Sequence, residues 1–119
     1  GKTVLCDRFA DSTTAYQGAG RGLSPEDLAR LHALATQGVW PHLTFLLDLP
    51  VEEGLRRARH RGRFDRMEQQ DIQFHERVRE GFLAIARHEP ERVKVIDATP
   101  PPDAVFASVR AWVQPLFLQ

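Results

Sequence analysis

Asp7 and Arg8 stand where an apolar run, Val4-Leu5-Cys6, meets the polar stretch Phe9-Ala10-Asp11-Ser12-Thr13-Thr14-Ala15-Tyr16-Gln17-Gly18. A guanidinium is a permanently charged fork that grips a phosphate through two parallel hydrogen bonds, and a neighbouring carboxylate can orient that fork or a metal-bound water. Ligands of open α/β sheets sit beyond the carboxyl ends of the strands, so Arg8 is the first candidate for a phosphate contact and Asp7 its companion. A second concentration of cations is Arg56-Arg57-Ala58-Arg59-His60-Arg61-Gly62-Arg63-Phe64-Asp65-Arg66-Met67-Glu68, six arginines around one glycine. If a helix continued through it, Arg59, Arg63 and Arg66 would share a face and converge on a polyphosphate, with Gly62 as hinge. One reading is a solvated helix paired with Glu52, Glu53, Asp65 and Glu68. The other is a flap that closes over a nucleotide and supplies the cations phosphoryl transfer requires. Local acids are too few to match every arginine, and with Arg8 at a strand end the balance moves to the clamp.

The elements that would position these groups alternate between strand and helix. Thr3 to Cys6 reads as a short buried strand, followed by a helix from Ser12 to about Gln17 with Asp11 or Ser12 as N-cap. Gly18-Ala19-Gly20-Arg21-Gly22 is expected to break it. Ser24-Pro25-Glu26-Asp27 is a helix start with a capping hydroxyl, an early proline and an acid three residues after the cap. Leu28, Leu31 and Ala35 follow at helical spacing and Gly38 closes the element. Leu43 to Leu49 is almost continuously apolar, which predicts a strand buried on both faces of a parallel sheet. Pro50-Val51-Glu52-Glu53 opens a helix in which Glu52 to Arg56 and Glu53 to Arg57 are spaced as surface ion pairs. A helix from Gln70 to about His88 gathers Phe74, Val78, Phe82 and Ile85, Val93 to Asp97 is a third strand, and a last helix runs from about Pro101 to Leu116. Three strands alternating with helices predict an α/β fold with parallel pairing, in a single domain spanning 1–119 with residues 57–70 as an arginine-rich lid.

Composition sets the outer limits. The chain has 119 residues, 42% hydrophobic and 27% charged, as in a globular domain. Sixteen basic and sixteen acidic residues cancel, which argues against a nucleic acid polymer as partner and leaves room for local basic sites only. No apolar run is long enough to span a membrane, and the expected location is the cytoplasm. The lone Cys6 reads as a buried small hydrophobe without catalytic role. His32, His42, His60, His75 and His88 show no metal-ligand spacing. Gly1-Lys2-Thr3 imitates the end of a phosphate-binding loop but enters a strand instead of a helix, so Lys2 is assigned no catalytic role.

The ordered motifs are Asp7-Arg8-Phe9 with Ser12, Ala15-Tyr16-Gln17-Gly18-Ala19-Gly20-Arg21-Gly22, and Pro41-x-Leu43-Thr44 with Leu47-Asp48. Arg59-x-Arg61-Gly62-x-x-Asp65-Arg66-x-Glu68 and Val95-Ile96-Asp97-Ala98 complete them. Taken together they resemble bacterial-type thymidylate kinase, one of the P-loop nucleoside monophosphate kinases. The resemblance implies part of a three-layer P-loop NTPase fold with a parallel sheet, lacking the first strand and the P-loop. It implies phosphoryl transfer from ATP to thymidine monophosphate with Mg2+ bridging phosphates. Arg8 would hold the thymidylate phosphate, Asp7 would organise the magnesium region through water, and Ser12, Thr13, Tyr16 and Gln17 would line the acceptor pocket. Thr13 would face the thymine edge and Tyr16 the sugar. Arg59, Arg61, Arg63 and Arg66 would reach the ATP phosphates, Arg59 and Arg66 serving catalysis, with Asp97 and Ala98 near the adenine. A homodimer is implied in the same way. Phe9 stands where the family usually has tyrosine or histidine. The missing amino-terminal half would carry the P-loop and the central strand, and is expected to fill the slot between Val4–Cys6 and Leu43–Leu49. The alternatives are a catalytically incomplete nucleotide-binding fragment, or a sister kinase with another acceptor.

Overall fold

Five residues of each of two apolar segments pair in parallel: β1 (Thr44–Asp48) and β2 (Val93–Asp97), with Thr44 opposite Val93 and Asp48 opposite Asp97. In this computed structural model, which describes residues 1–62 and 70–118, both aspartates therefore lie at the same carboxyl end of the sheet. The ladder is extended by Thr44 N donating to Arg92 O and by Ala98 N donating to Asp48 O, each at 2.8 Å. The helices are α1 (Ala10–Thr13), α2 (Pro25–Thr36), α3 (Val51–His60), α4 (Ile72–His88) and α5 (Pro102–Phe117). A π-helix, Thr14–Gly20, continues directly from α1. The α/β class with parallel pairing is present, with α3 and α4 lying between β1 and β2 in the chain.

The caps of α2 and α4 follow from local chemistry. Ser24 accepts from Asp27 N with Pro25 in the first turn, and Gln37 closes α2 in the left-handed conformation. Asp71 accepts from Phe74 N at the start of α4. Ala15, Phe74 and Val78 form a buried cluster, with Tyr16 and Phe82 packed against it, so α4 lies on the π-helix. Close approach is possible because small residues face each other there: a Cβ on Gly81 would stand 2.6 Å from the Ala19 Cβ.

Several expectations are corrected. Thr3 to Cys6 forms no strand; Val4 and Leu5 are 81% and 95% exposed and Cys6 is exposed as well, not buried. A strand needs a neighbour to satisfy its backbone, and among the described residues β1 pairs with β2 alone. The same lack leaves Leu47 of β1 exposed instead of covered on both faces. The first helix begins at Ala10 behind Phe9, which contributes no side-chain cap, because the Asp11 carboxylate is taken by Arg92. Gly18-Ala19-Gly20 do not break the helix; they complete the π-helix. Of the α2 residues expected inside, Leu28 is buried while Leu31 and Ala35 are exposed. Finally, α3 ends at His60, and Gly62 takes φ +71, a left-handed turn that suits glycine. The expected continuation of the helix thus stops short of Gly62, and Arg63 and Arg66 lie outside the described residues.

Candidate functional site

The segment 4–9, the α1 start, the whole length of β1 and parts of α3 and α4 line an open cleft of about 1370 Å³. Its lining includes Asp7, Arg8, Ser12, Thr13, Tyr16 and Gln17, so the acceptor residues expected from the sequence are brought together. Arg8 occupies φ +68, which costs a non-glycine residue roughly 1–2 kcal/mol and has to be imposed by its surroundings. The turn is braced by the Cys6 thiol donating to Arg8 O at 3.2 Å and by Ser12 N donating to Phe9 O at 3.0 Å. The Arg8 guanidinium lies 5.4 Å from the centre of the Tyr16 ring, a cation–π distance that steadies the fork while leaving its N–H groups for an anion. Tyr16 is itself fixed by edge contact with Phe82 at 6.0 Å and a tilted contact with Phe74 at 6.3 Å.

The widened π turn places Tyr16 and Gln17 on the cleft while Ala15 and Gly20 face α4. Gln17 O accepts from Leu23 N, tying the loop after the π-helix back onto it. Arg77 Nε and Nη2 reach Gly20 O at 3.2 and 3.1 Å, a second tie between α4 and the same stretch.

The expected ATP residues are distributed differently. Arg61, just past α3, lines the cleft, whereas Arg59 lies in the last turn of α3. Asp97 and Ala98 are not part of the cleft lining. Asp97 Oδ1 accepts from the hydroxyl and the N–H of Thr99, which hold its carboxyl below the usual range. Ala98 O accepts from Arg57 Nη1 at 2.8 Å and Thr99 O from Arg57 Nη2 at 2.9 Å. Arg57 therefore joins the stem of the arginine-rich segment to the loop after β2. Its Nε, like Arg56, pairs with Glu53, so one glutamate serves two arginines where two separate pairs were expected.

Two buried-side forks escaped the sequence reading. Arg79 on α4 binds both oxygens of Asp48 at 2.9 and 3.0 Å, closing one wall of the cleft. Arg92 binds both oxygens of Asp11 at 2.8 and 2.9 Å, and these hydrogen bonds, with those to Glu89, push the guanidinium pKa further up. An aspartate at the end of an apolar strand signalled the first. Nothing in local spacing signals the second, since its partners are 81 residues apart.

Comparison with known proteins fits this geometry. A family model described as thymidylate kinase matches residues 1–109. The thymidylate kinase of Deinococcus radiodurans is 56% identical over 113 residues, covering 95% of this chain and 55% of that protein. That of Desulfovibrio desulfuricans is 50% identical over 121 residues, covering 96% and 56%. The crystal structure of thymidylate kinase from Ehrlichia chaffeensis superposes with a TM-score of 0.66 at 34% identity, covering 92% of this chain and 47% of that one. The chain thus spans about half the length of the curated relatives it matches. With the Asp7-Arg8 turn, the tyrosine beside it and the parallel strands all in the matched region, the chain belongs to the thymidylate kinase family.

Proposed function

We propose that the protein of which this chain forms part transfers the γ-phosphoryl group of ATP to thymidine monophosphate, and that this chain carries the acceptor site. The observation that carries the reading is Arg8, held in a braced left-handed turn at the cleft with its guanidinium over Tyr16. Arg8 holds the acceptor phosphate, Tyr16 and Gln17 flank the sugar, Ser12 and Thr13 line the wall toward the base, and the ring of Tyr16 disfavours a ribose 2′-hydroxyl. Arg59 and Arg61, with Arg63 and Arg66, bring cations to the ATP phosphates as charge develops there. Asp97 and Ala98 belong to the adenine side, their loop pinned by Arg57.

The donor set suits a magnesium ion carried chiefly by phosphates and water: Asp7 lines the cleft, and among the described residues no three His, Cys, Asp or Glu side chains are gathered to hold a metal. Bound there, the ion would neutralise phosphate charge, with Asp7 acting through water. The other half of the relatives' length supplies the P-loop and a strand that enters between residues 4–6 and β1. A homodimer and a cytoplasmic location complete the reading; no helix among the described residues is long and apolar enough to cross a membrane.

In the protein with both halves, Arg8→Ala should raise KM for thymidine monophosphate about 10–100-fold, the scale of a lost charge-assisted fork, with KM for ATP nearly unchanged. Unchanged use of thymidylate would overturn the assignment. Arg59→Ala should instead act on ATP affinity or on kcat. A second reading rests on the half-length match: by itself the chain binds nucleotide without catalysis, so the 119-residue chain should form no thymidine diphosphate from ATP and thymidylate. Ranking thymidine, uridine and guanosine monophosphates as acceptors separates a sister kinase.

A further inference from the structure

We propose that Arg92 is a positioning residue for the acceptor site, seated in a socket of Asp11, Glu89, Thr44 and Trp40 that fixes the aim of Arg8. The proposal rests on the reading of Arg8 as the acceptor-phosphate contact.

Arg8 is exposed and its φ of +68 is unfavourable for a side chain with a Cβ, so neighbouring structure has to impose the conformation. The residue that follows supplies the link. Phe9 stands edge-on to Trp40 with ring centres 6.1 Å apart, and Trp40 also carries the Arg92 guanidinium, 5.3 Å from its ring centre. Trp40 is steadied by an edge contact with His32 at 5.8 Å, and the His32 Nε2 lies 2.8 Å from the Thr14 hydroxyl. Arg92 ties this cluster to the sheet and to α1. Besides its fork to Asp11, it donates from Nε and Nη2 to the two oxygens of Glu89 at 3.1 and 2.7 Å and from Nη1 to the Thr44 hydroxyl at 3.3 Å. Its main chain is fixed to the sheet, since Arg92 O accepts from Thr44 N.

A mechanical path therefore runs from the start of the sheet through Arg92 to Trp40, which touches the Phe9 ring, and to Asp11, two residues beyond Phe9. Asp11 lies three residues after Arg8, in the first turn of α1, so the Arg8 turn is held against the sheet at Phe9 and at Asp11. Burial makes the fork effective: the Arg92 and Asp11 side chains are 12% and 14% exposed, too covered for the solvent screening that weakens surface pairs. Only a guanidinium can serve two carboxylates, a hydroxyl and an aromatic face at once. Removing it also leaves Asp11 and Glu89 facing one another with no cation between them, which drives the α1 start away from its seat.

The test uses the protein with both halves. Calorimetric binding of thymidine monophosphate is measured alongside KM for ATP and hydrogen exchange of the 9–13 amides. Arg92→Met should weaken thymidylate binding about tenfold, leave KM for ATP within about twofold and speed exchange at Ser12, with α4 amides unchanged. Arg92→Lys should restore it in part only. Asp11→Asn is the near-isosteric second variant should Arg92→Met not fold, and should shift thymidylate in the same direction. Combined with Arg92→Met, it should add little, because both act through one fork. Thymidylate binding at the unaltered strength in both single variants, or equal losses for both nucleotides, would overturn the socket. The underlying reading fails separately: if Arg8→Ala binds thymidylate as the unaltered protein does, Arg8 is not the contact, while exchange at Ser12 still reports whether Arg92 holds the turn.

Discussion

Glu53 carries two arginines at once, and the consequence is a pH dependence with a definite sign. Hydrogen bonds from Arg56 and then Arg57 lower its pKa from 4.5 to about 2. A carboxylate whose folded value is depressed contributes stability that is complete above its unfolded value and is lost as pH falls through the folded one. The contribution from Glu53 is therefore present above about pH 4.5 and disappears between there and pH 2. Its side chain is 28% exposed, so water and salt screen the pairs and the effect is small. Thermal melts at pH 6 and pH 3 should differ less in Glu53→Gln than in the unaltered protein, and the difference should shrink in high salt. The Arg79–Asp48 fork is less exposed, and Asp48 lies opposite Asp97 at the end of the sheet. Arg79→Met leaves that carboxylate without its cation and should destabilise the fold by about 1–3 kcal/mol, read from denaturant midpoints.

At the scale of elements, the decisive contact is α4 against the π-helix. A methyl on Gly81 meets the Ala19 Cβ at 2.6 Å and the Ala15 Cα at 3.3 Å, and both are rigid parts of the packed face. Gly81→Ala gains about 1 kcal/mol of helix propensity, but overpacking costs about 1–3 kcal/mol. The net should be a loss of stability, and, if Tyr16 lines the acceptor site as proposed, a raised KM for thymidylate in the protein with both halves; a gain in melting temperature would contradict it. This contact also marks the boundary of what the sequence discloses. Ser24-Pro25 and the strands within the Leu43–Leu49 and Val93–Asp97 runs were legible because caps and apolar strands write themselves in neighbouring residues, although Leu47 and Val95 are left exposed. Gly18-Ala19-Gly20 looked like a break because small residues signal flexibility locally, whereas their use here is to admit α4, far along the chain. Asp11 looked like a cap for the same reason: its partner, Arg92, is 81 residues along the chain. The residues proposed for the acceptor site, Arg8 to Gln17, form a contiguous motif, whereas Arg92 and its partners Asp11, Trp40, Thr44 and Glu89 come from three separated segments.

The whole molecule is open for its size. Its accessible surface is 8963 Å², whereas a closed monomer of 13.5 kDa would expose about 6500 Å². Its radius of gyration of 15.5 Å exceeds the roughly 13.5 Å of a compact domain of 119 residues. Apolar groups meet water in several places, among them Val4 and Leu5 beside β1 and Phe106, Trp112, Leu116 and Phe117 on α5. If the unmatched half of the relatives covers the first of these, Leu5→Asp should leave the 119-residue chain's stability within about 0.5 kcal/mol. In the protein with both halves it should cost about 2 kcal/mol or more. Equal effects in the two would sink the idea. Cys6 turns this arrangement into a measurement. The chain has one thiol, it is exposed, and it lies in the very segment that a neighbouring strand would cover. If the other half docks there as proposed, alkylation of Cys6 times the docking: fast labelling marks the unassembled chain, protection marks the completed sheet, and the observed rate divided by that of the isolated chain gives the unassembled fraction without any engineered reporter.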